Sequence, residues 1–318
     1  LPQVISSRAI MEKSASAAPL SDQPSIGPTA RAVLIRNPKS RRGSEDISAV
    51  LNYLRSRGVA IREAKTEDER FAAAAAEADF FIVAGGDGTV HHAGPAILAA
   101  GKPFGILPLG TANDLARSLG LPVDPMEAAR VIIDGNKRII DLGDVNGEPF
   151  FNVASIGISV ALAQELTRET KRRFGTLGYV LAGMRALLRA RRFRATIEAD
   201  GRTARVRTFQ IAVGNGRYYG GGMSVSEHCR IGDGRLYLYS LEMRSLWKLA
   251  LMAFDFRAGA HGAWEEVRAD AGERFVVHTR RPREINADGE IVTRTPATFT
   301  IRRAALEAFA PPCEDDGG

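Results

Sequence analysis

The run AGGDGTVHHAG, Ala84 to Gly94, sets three closely spaced glycines, one acid, one threonine and two adjacent histidines in a single short stretch. Gly85, Gly86 and Gly88 carry no Cβ, so phosphate oxygens can approach the main-chain N–H groups there, and a following helix would add the partial positive charge of its N-terminus. Asp87 at the centre would repel a phosphate unless it holds Mg2+ or serves an acceptor hydroxyl. Its presence points to catalysis rather than simple anion binding. Thr89 has two readings, a donor to phosphate or a cap on the helix, and the plainest alternative for the whole run is a glycine-rich turn. Neighbouring helical positions point about 100° apart, so His91 and His92 are poorly placed to chelate one metal ion. Packing or solvent exposure is their expected role, with contact to a phosphate or an acceptor as the alternative.

The elements that must position this run are legible around it. RAVLIRNP, from Arg31, reads as a buried strand stopped by Asn-Pro; Ile47, Val50, Leu51 and Leu54 recur at helical spacing; VAIREAKT reads as a second strand. FAAAAAEA looks helical, DFFIVAGG is a third strand entering the glycine run, and Ala93 to Ala100 is the expected next helix. PFGILPLG then leads as a strand into the helical NDLARSLG. Strands alternating with helices predict a parallel α/β layer whose ligands sit at the carboxyl ends of its strands. NPKSRRG, GGDGT and LGTAND would all gather along that edge, which suggests one site.

After about Gly135 the texture turns to strand candidates: RIIDLGDVN, EPFFNVASIGIS, RATIEADGRTARVRTFQIAVGN, DGRLYLYSLE, ERFVVHTRRPREINADGEIV and ATFTIRR. Asp200-Gly201 and Asp288-Gly289 are hairpin dipeptides, so this half is expected to be a largely antiparallel β-sandwich. The expected division is a disordered leader over 1–30, with Met11 as an alternative start, an α/β domain over 31–135 joined by 292–310, a β-rich domain over 136–291, and a disordered tail over 311–318. TLGYVLAGMRALLRA is a helical exception, and the surrounding Lys171 to Arg194 holds eight basic residues and no acid. A basic amphipathic helix can lie on anionic lipid, or it can pack on the sheet with its arginines in water.

The composition is ordinarily globular, with 45% hydrophobic and 25% charged residues in 318, which argues against wholesale disorder and fibrous architectures. A net charge of +6 suits nucleotides or an anionic membrane surface without choosing between them. No stretch has the roughly 18 uninterrupted apolar residues of a spanning helix. The two cysteines, Cys229 and Cys313, have no metal-ligand spacing and are expected to be free thiols in a reducing cytosol.

GGDGTVHHAG followed by GILPLGTANDLARSLGLP resembles the catalytic domain of diacylglycerol kinases, the superfamily that includes sphingosine kinases and bacterial YegS-like lipid kinases. YYGGGMSVSEHCRIGDGRLYL and INADGEIV resemble later motifs of that family, in the right order, so the likeness runs over roughly residues 31 to 305. The resemblance implies a phosphofructokinase-like, NAD-kinase-like α/β domain and a β-sandwich domain, using ATP and Mg2+ to phosphorylate a lipid hydroxyl. It implies that Asn37 braces the first loop, that Lys39 faces phosphates, and that Thr66, Thr111 and Asn113 lie on the nucleotide side, with Asp114 alternatively capping the next helix. It implies a structural Mg2+ at the turn carrying Asp233, completed by main-chain oxygens of Arg230 and Arg235. The DGE stretch resembles the segment bearing the proposed base, with Glu290 the first choice, Asp288 the second, and Asp87 sharing the role. Where relatives commonly carry Asn-Glu, this sequence has His91-His92.

The implied partner is a lipid substrate, diacylglycerol by default, met by peripheral contact at the inner face of a membrane from the cytoplasm. No nucleic-acid partner is expected, and a homodimer is an admissible assembly. The competing readings are an NAD kinase, against which the GTAND loop argues, and a non-catalytic lipid or nucleotide sensor, whose best support is His91-His92.

Overall fold

A computed structural model describes residues 26, 29–36, 47–160, 190–215, 218–219, 223–224, 231–243 and 267–312. The first half alternates as expected: β1 (Arg31–Arg36), α1 (Ser48–Ser56), β2 (Ala60–Glu63), α2 (Phe71–Glu77), β3 (Phe80–Gly85), α3 (Asp87–Ala100), β4 (Phe104–Pro108), α4 (Asp114–Ser118) and α5 (Pro125–Asp134). The strands pair in parallel in the order β2-β1-β3-β4. Every residue of β3 and β4 is buried, because helices cover both faces of the sheet and neither face tolerates polar residues. Alternation along the strands sorts the helices. Leu34, Phe80, Ile82 and Leu107 pack on α1 and α5, whereas Val33, Phe81, Val83 and Phe104 pack on α2, α3 and α4.

Two helical details depart from expectation. α3 begins at Asp87 rather than Ala93, so the acid and both histidines lie on the helix itself, in spite of Gly88, Gly94 and Pro95. α5 was not anticipated, although Asp124 caps it by accepting from the N–H groups of Met126 and Glu127 and Pro125 opens its first turn.

The second half supplies β5 (Lys137–Val145), β6 (Glu148–Phe150), β7 (Val153–Gly157), β8 (Phe193–Ala199), β9 (Arg202–Thr208), β10 (Gln210–Gly214), β11 (Tyr218–Tyr219), β12 (Met223–Ser224), β13 (Leu236–Leu241), β14 (Val267–Gly272), β15 (Arg274–Thr279), β16 (Glu284–Ala287), β17 (Glu290–Arg294) and β18 (Ala297–Phe309). A six-stranded antiparallel sheet, β14-β13-β10-β7-β16-β17, faces β9-β8-β15 and the first part of β18 across one core that holds Phe150, Ile156, Ile211, Leu238, Phe275 and Phe299. This is the antiparallel sandwich that the dipeptide signals predict. Asp200 and Asp288 both adopt positive φ, each followed by a positive-φ glycine, as a two-residue hairpin turn requires.

β18 ties the layers together. Its start pairs with β15, its length runs antiparallel to β5, and Ala308 pairs in parallel with Phe104 of β4. The ten-stranded sheet therefore continues from the parallel layer into the sandwich. The helix and basic segment expected around Lys171 to Arg194 lie, up to residue 189, outside the described residues.

Candidate active site

Two glycine-containing loops meet backbone to backbone at the carboxyl edge of the parallel strands. Leu109 N–H, just past β4, donates to Gly85 O at the end of β3 at 3.0 Å, which brings the two chain segments together. A Cβ on Gly86 would stand 2.8 Å from Gly110 Cα, and one on Gly110 would stand 2.5 Å from Gly86 Cα. No side chain fits at that crossing. Asn113, in a left-handed conformation, accepts from Gly110 N–H at 2.9 Å and donates to Gly110 O at 3.1 Å, so its amide fixes the crossing. Thr89 is buried and packs against Gly85. Gly88, by contrast, has no atom of the described residues within 4 Å of where its Cβ would be, and Thr111 is exposed. Thr66 is half-buried in the turn after β2; Asn37 and Lys39 fall outside the described residues.

Asp87 opens α3 beside this crossing. Its Oδ1 accepts from Leu115 N–H at 3.2 Å, at the start of α4. Burial pushes its carboxyl up from the ordinary 3.8 to about 6; the nearby charges of Asp114 and Asp288 add to this, while the N–H groups of Leu115 and Asp114 oppose it. Asp114 is itself buried in the first turn of α4.

From the other side comes the β16–β17 turn. The Asp288 side chain, 1% exposed, accepts from Phe151 N–H at 2.6 Å, Asn152 N–H at 2.9 Å and Val153 N–H at 3.1 Å. Its own N–H donates to Val153 O, and Asn286 accepts from Gly289 N–H. Asp288 thus anchors the turn to the segment between β6 and β7. Glu290, next along, is half-exposed.

The histidines join the two sides. His91 Nδ1 lies 3.6 Å from Asp288 Oδ2, and His92 Nε2 lies 3.1 Å from Glu290 Oε1. Hydrogen bonding to Asp288 raises the His91 pKa above its ordinary value in spite of burial, with help from the charges of Glu290 and Glu148. The divergence of adjacent helical side chains, which argues against a shared metal, sends each imidazole to a different carboxylate. Sequence reasoning expected packing or exposure here and missed these pairs.

The turn at 233–235 is separately braced. Asp233 accepts from Arg235 N–H at 2.9 Å and from the Tyr237 hydroxyl at 2.5 Å. Arg230 lies outside the described residues. Asp141, which sequence reasoning passed over, accepts from Gly234 N–H at 2.8 Å and from Ala304 N–H at 2.7 Å, and Asn215 donates to the main-chain oxygens of Asp141 and Phe151. The available signal was an acid inside the apolar run RIIDLGDV. Among the described residues, no three His, Cys, Asp or Glu side chains are grouped to hold a metal.

A glycine crossing, a buried acid beside it, and a second acid brought in by a sandwich hairpin meet where the parallel layer touches the sandwich, an arrangement compatible with phosphoryl transfer. Family models agree with that chemistry: the diacylglycerol kinase catalytic domain matches residues 31–145, and the YegS C-terminal NAD kinase beta sandwich-like domain matches residues 152–310. A protein named diacylglycerol kinase from Mycobacterium tuberculosis (strain CDC 1551 / Oshkosh) is 32% identical over 87% of this chain and 94% of its own. Another of that name from Bacillus subtilis (strain 168) is 32% identical over 71% of this chain and 76% of its own. A crystal structure from Bacillus anthracis str. Sterne superposes with a TM-score of 0.72 at 26% identity, covering 89% of this chain and 95% of that one. The chain belongs to the diacylglycerol kinase family and is a lipid kinase.

Proposed function

We propose that the protein transfers the γ-phosphoryl group of ATP to the free hydroxyl of diacylglycerol, with Glu290 as the proton acceptor. The observation that carries this reading is the meeting of α3 with the β16–β17 turn, which sets Asp288 close enough to Asp87 to be felt by its carboxyl and holds Glu290 against His92 of the same helix. Glu290 takes the hydroxyl proton as that oxygen bonds to the γ-phosphorus and the bond to the β,γ-bridging oxygen breaks, releasing ADP. Glu290 suits the role better than Asp288, whose oxygens already accept three N–H groups. The glycine crossing of Gly85, Gly86 and Gly110, fixed by Asn113 and Thr89, forms the phosphate cradle. Gly88 and Thr111 border the open space, and Asn37, Lys39 and Thr66 complete the nucleotide side.

The residues present fit Mg2+. Asp87, ionised at a cost beside two other acids, is the kind of ligand a cation relieves, and Mg2+ takes one or two carboxylates together with phosphate oxygens. When bound, the ion supplies charge neutralisation for the phosphates. A second Mg2+ at Asp233, with the main-chain oxygens of Arg230 and Arg235, would compete with the donors from Arg235 and Tyr237 already on that carboxylate.

On this reading the protein is cytoplasmic and reaches its lipid at the inner membrane face. No helix among the described residues is long and apolar enough to cross a membrane. The outer face of β8 and β9, with Arg194, Arg205 and Arg207 exposed against the single acid Glu198, suits a peripheral contact with anionic lipid.

The decisive experiment incubates the purified protein with labelled Mg-ATP, a total lipid extract and NAD. Label in phosphatidic acid supports the reading. Label in another lipid corrects the acceptor, whether phosphatidylglycerol, a sphingoid base or ceramide; label in NADP, or in nothing, overturns it. Glu290→Gln should lower the rate by about 10²- to 10⁴-fold, as loss of a general base does.

A further inference from the structure

We propose that His91 and His92 are positioning residues, a two-point latch that fastens the Glu290-bearing hairpin turn to the helix that carries Asp87. The inference rests on the reading of Glu290 as the proton acceptor and adds residues to which no role in transfer has been assigned.

Asp87 and His91 are four residues apart on α3, so they share one face of the helix, and His92 points to the next face. The two imidazoles meet two successive acids of one turn: His91 meets Asp288, and His92 meets Glu290. The contacts differ in burial, and so in what each does. Asp288 is nearly inaccessible and already held by three N–H donors, so His91 does not need to fix that carboxylate. What His91 adds is a bond between α3 and the sandwich. Close by, Gly94 of the same helix has no Cβ where the Phe151 ring approaches to 2.6 Å of the vacant position, which lets α3 sit directly on the segment that Asp288 anchors.

Glu290 has no comparable fixation. It is half-exposed, and among the described residues His92 is the single ion-pair or hydrogen-bond partner of its carboxylate. A long side chain on a hairpin turn samples several rotamers unless something holds it. His92 selects the rotamer in which Oε1 faces α3, where the phosphate cradle begins. Among the described residues, the charged groups acting on His91 are Asp288 and Glu290 from the hairpin and Glu148 from β6, while Asp87 lies one turn back on its own helix. The two acids of the hairpin turn, Asp288 and Glu290, thus each face one imidazole of α3, which offsets their mutual repulsion where the turn meets the helix.

The test is steady-state kinetics of His92→Ala, His92→Gln, His91→Asn and His91→Ala, with thermal unfolding as a control on folding. His92 is half-exposed, so His92→Ala should unfold within a few degrees of the parent. It should lose about tenfold or more in kcat with KM for ATP little changed, because misplacing a reacting group raises the chemical barrier and not the binding step. His92→Gln keeps a donor and should recover most of the loss. His91→Asn, which keeps a donor towards Asp288, should be milder than His91→Ala. Adding His92→Ala to Glu290→Gln should cost nothing further, since the residue that His92 positions is already disabled. An undiminished kcat in His92→Ala, a Gln variant as slow as the Ala variant, or an equal loss in both backgrounds overturns the latch. If the Glu290→Gln rate is at background, the split between kcat and KM and the glutamine rescue decide the matter. A Glu290→Gln enzyme at full rate would instead refute the assignment of the base, a separate failure.

Discussion

Asp87 is held in a place that does not favour its charge. Raising its carboxyl from 3.8 to about 6 amounts to roughly 3 kcal/mol of destabilisation once the group is ionised, at about 1.36 kcal/mol per unit. The sign follows from proton counts. Between about pH 4 and 6 the folded state holds the proton that the unfolded state has lost, so stability falls as pH rises through that window. Asp87→Asn should remove that slope and be at least as stable as the parent at pH 7 by urea unfolding, while phosphoryl transfer drops by about 10³-fold or more. A variant with full activity would sink the catalytic assignment. His91, whose pKa is also raised, contributes stability that is complete below its unfolded value and is lost as pH rises through its folded value; His91→Asn should flatten this later decline. Asp288 behaves oppositely to Glu290. Asp288→Ala leaves three N–H groups of 151–153 without their acceptor and should cost about 3 kcal/mol or more, whereas Glu290→Gln should leave the melting temperature nearly unchanged and act on rate alone.

The two glycines that matter most at the scale of elements do different work, and alanine separates them. At Gly86 a methyl group would collide with the Gly110 main chain, so Gly86→Ala should both destabilise the fold, by about 1–3 kcal/mol, and raise KM for ATP. At Gly88 a methyl group meets no atom of the described residues, and alanine is the better helix former by up to about 1 kcal/mol. Gly88→Ala should therefore melt no lower than the parent and still raise KM for ATP, the mark of a position kept clear for a ligand. Unchanged nucleotide kinetics in that variant would move the phosphates elsewhere. These elements also show what the chain makes legible. β3 and β4 announce themselves as unbroken apolar runs, and the Asp-Gly hairpins follow from backbone sterics alone. The start of α3 was misplaced because Gly88, Gly94 and Pro95 weaken the helical signal where tertiary packing on Phe81 and Val83 maintains it. The histidine pairs were invisible for a different reason. They join α3 to a hairpin far along the chain, and only the fold brings the two together.

At the scale of the whole molecule, β18 makes one sheet run from the parallel layer into the sandwich, so surfaces of the sandwich are continuous with the sheet that carries the glycine loops. One such surface is the outer face of β8 and β9. Arg194 lies directly opposite Arg207 across the antiparallel pair, and Arg205 lies opposite Thr196. Like charges placed opposite each other cost roughly 0.2–1 kcal/mol, and among the described residues none of these three arginines has an acidic partner. On an edge strand, arginine also discourages strand addition, so the charge alone does not decide between protection and docking. Vesicles do. If this face meets the membrane, the protein should sediment with vesicles containing an anionic lipid and not with purely zwitterionic ones, and salt should release it, since each arginine near the surface contributes about 1 kcal/mol. Arg194→Glu with Arg207→Glu should weaken that partition by at least about tenfold while turnover of a short-chain, detergent-dispersed diacylglycerol stays at the parental rate. Undiminished sedimentation of the double variant would leave edge protection as the role of these arginines and place the docking face elsewhere. Equal losses of turnover on vesicles and in detergent would show that the substitutions disturb the fold rather than the approach to lipid.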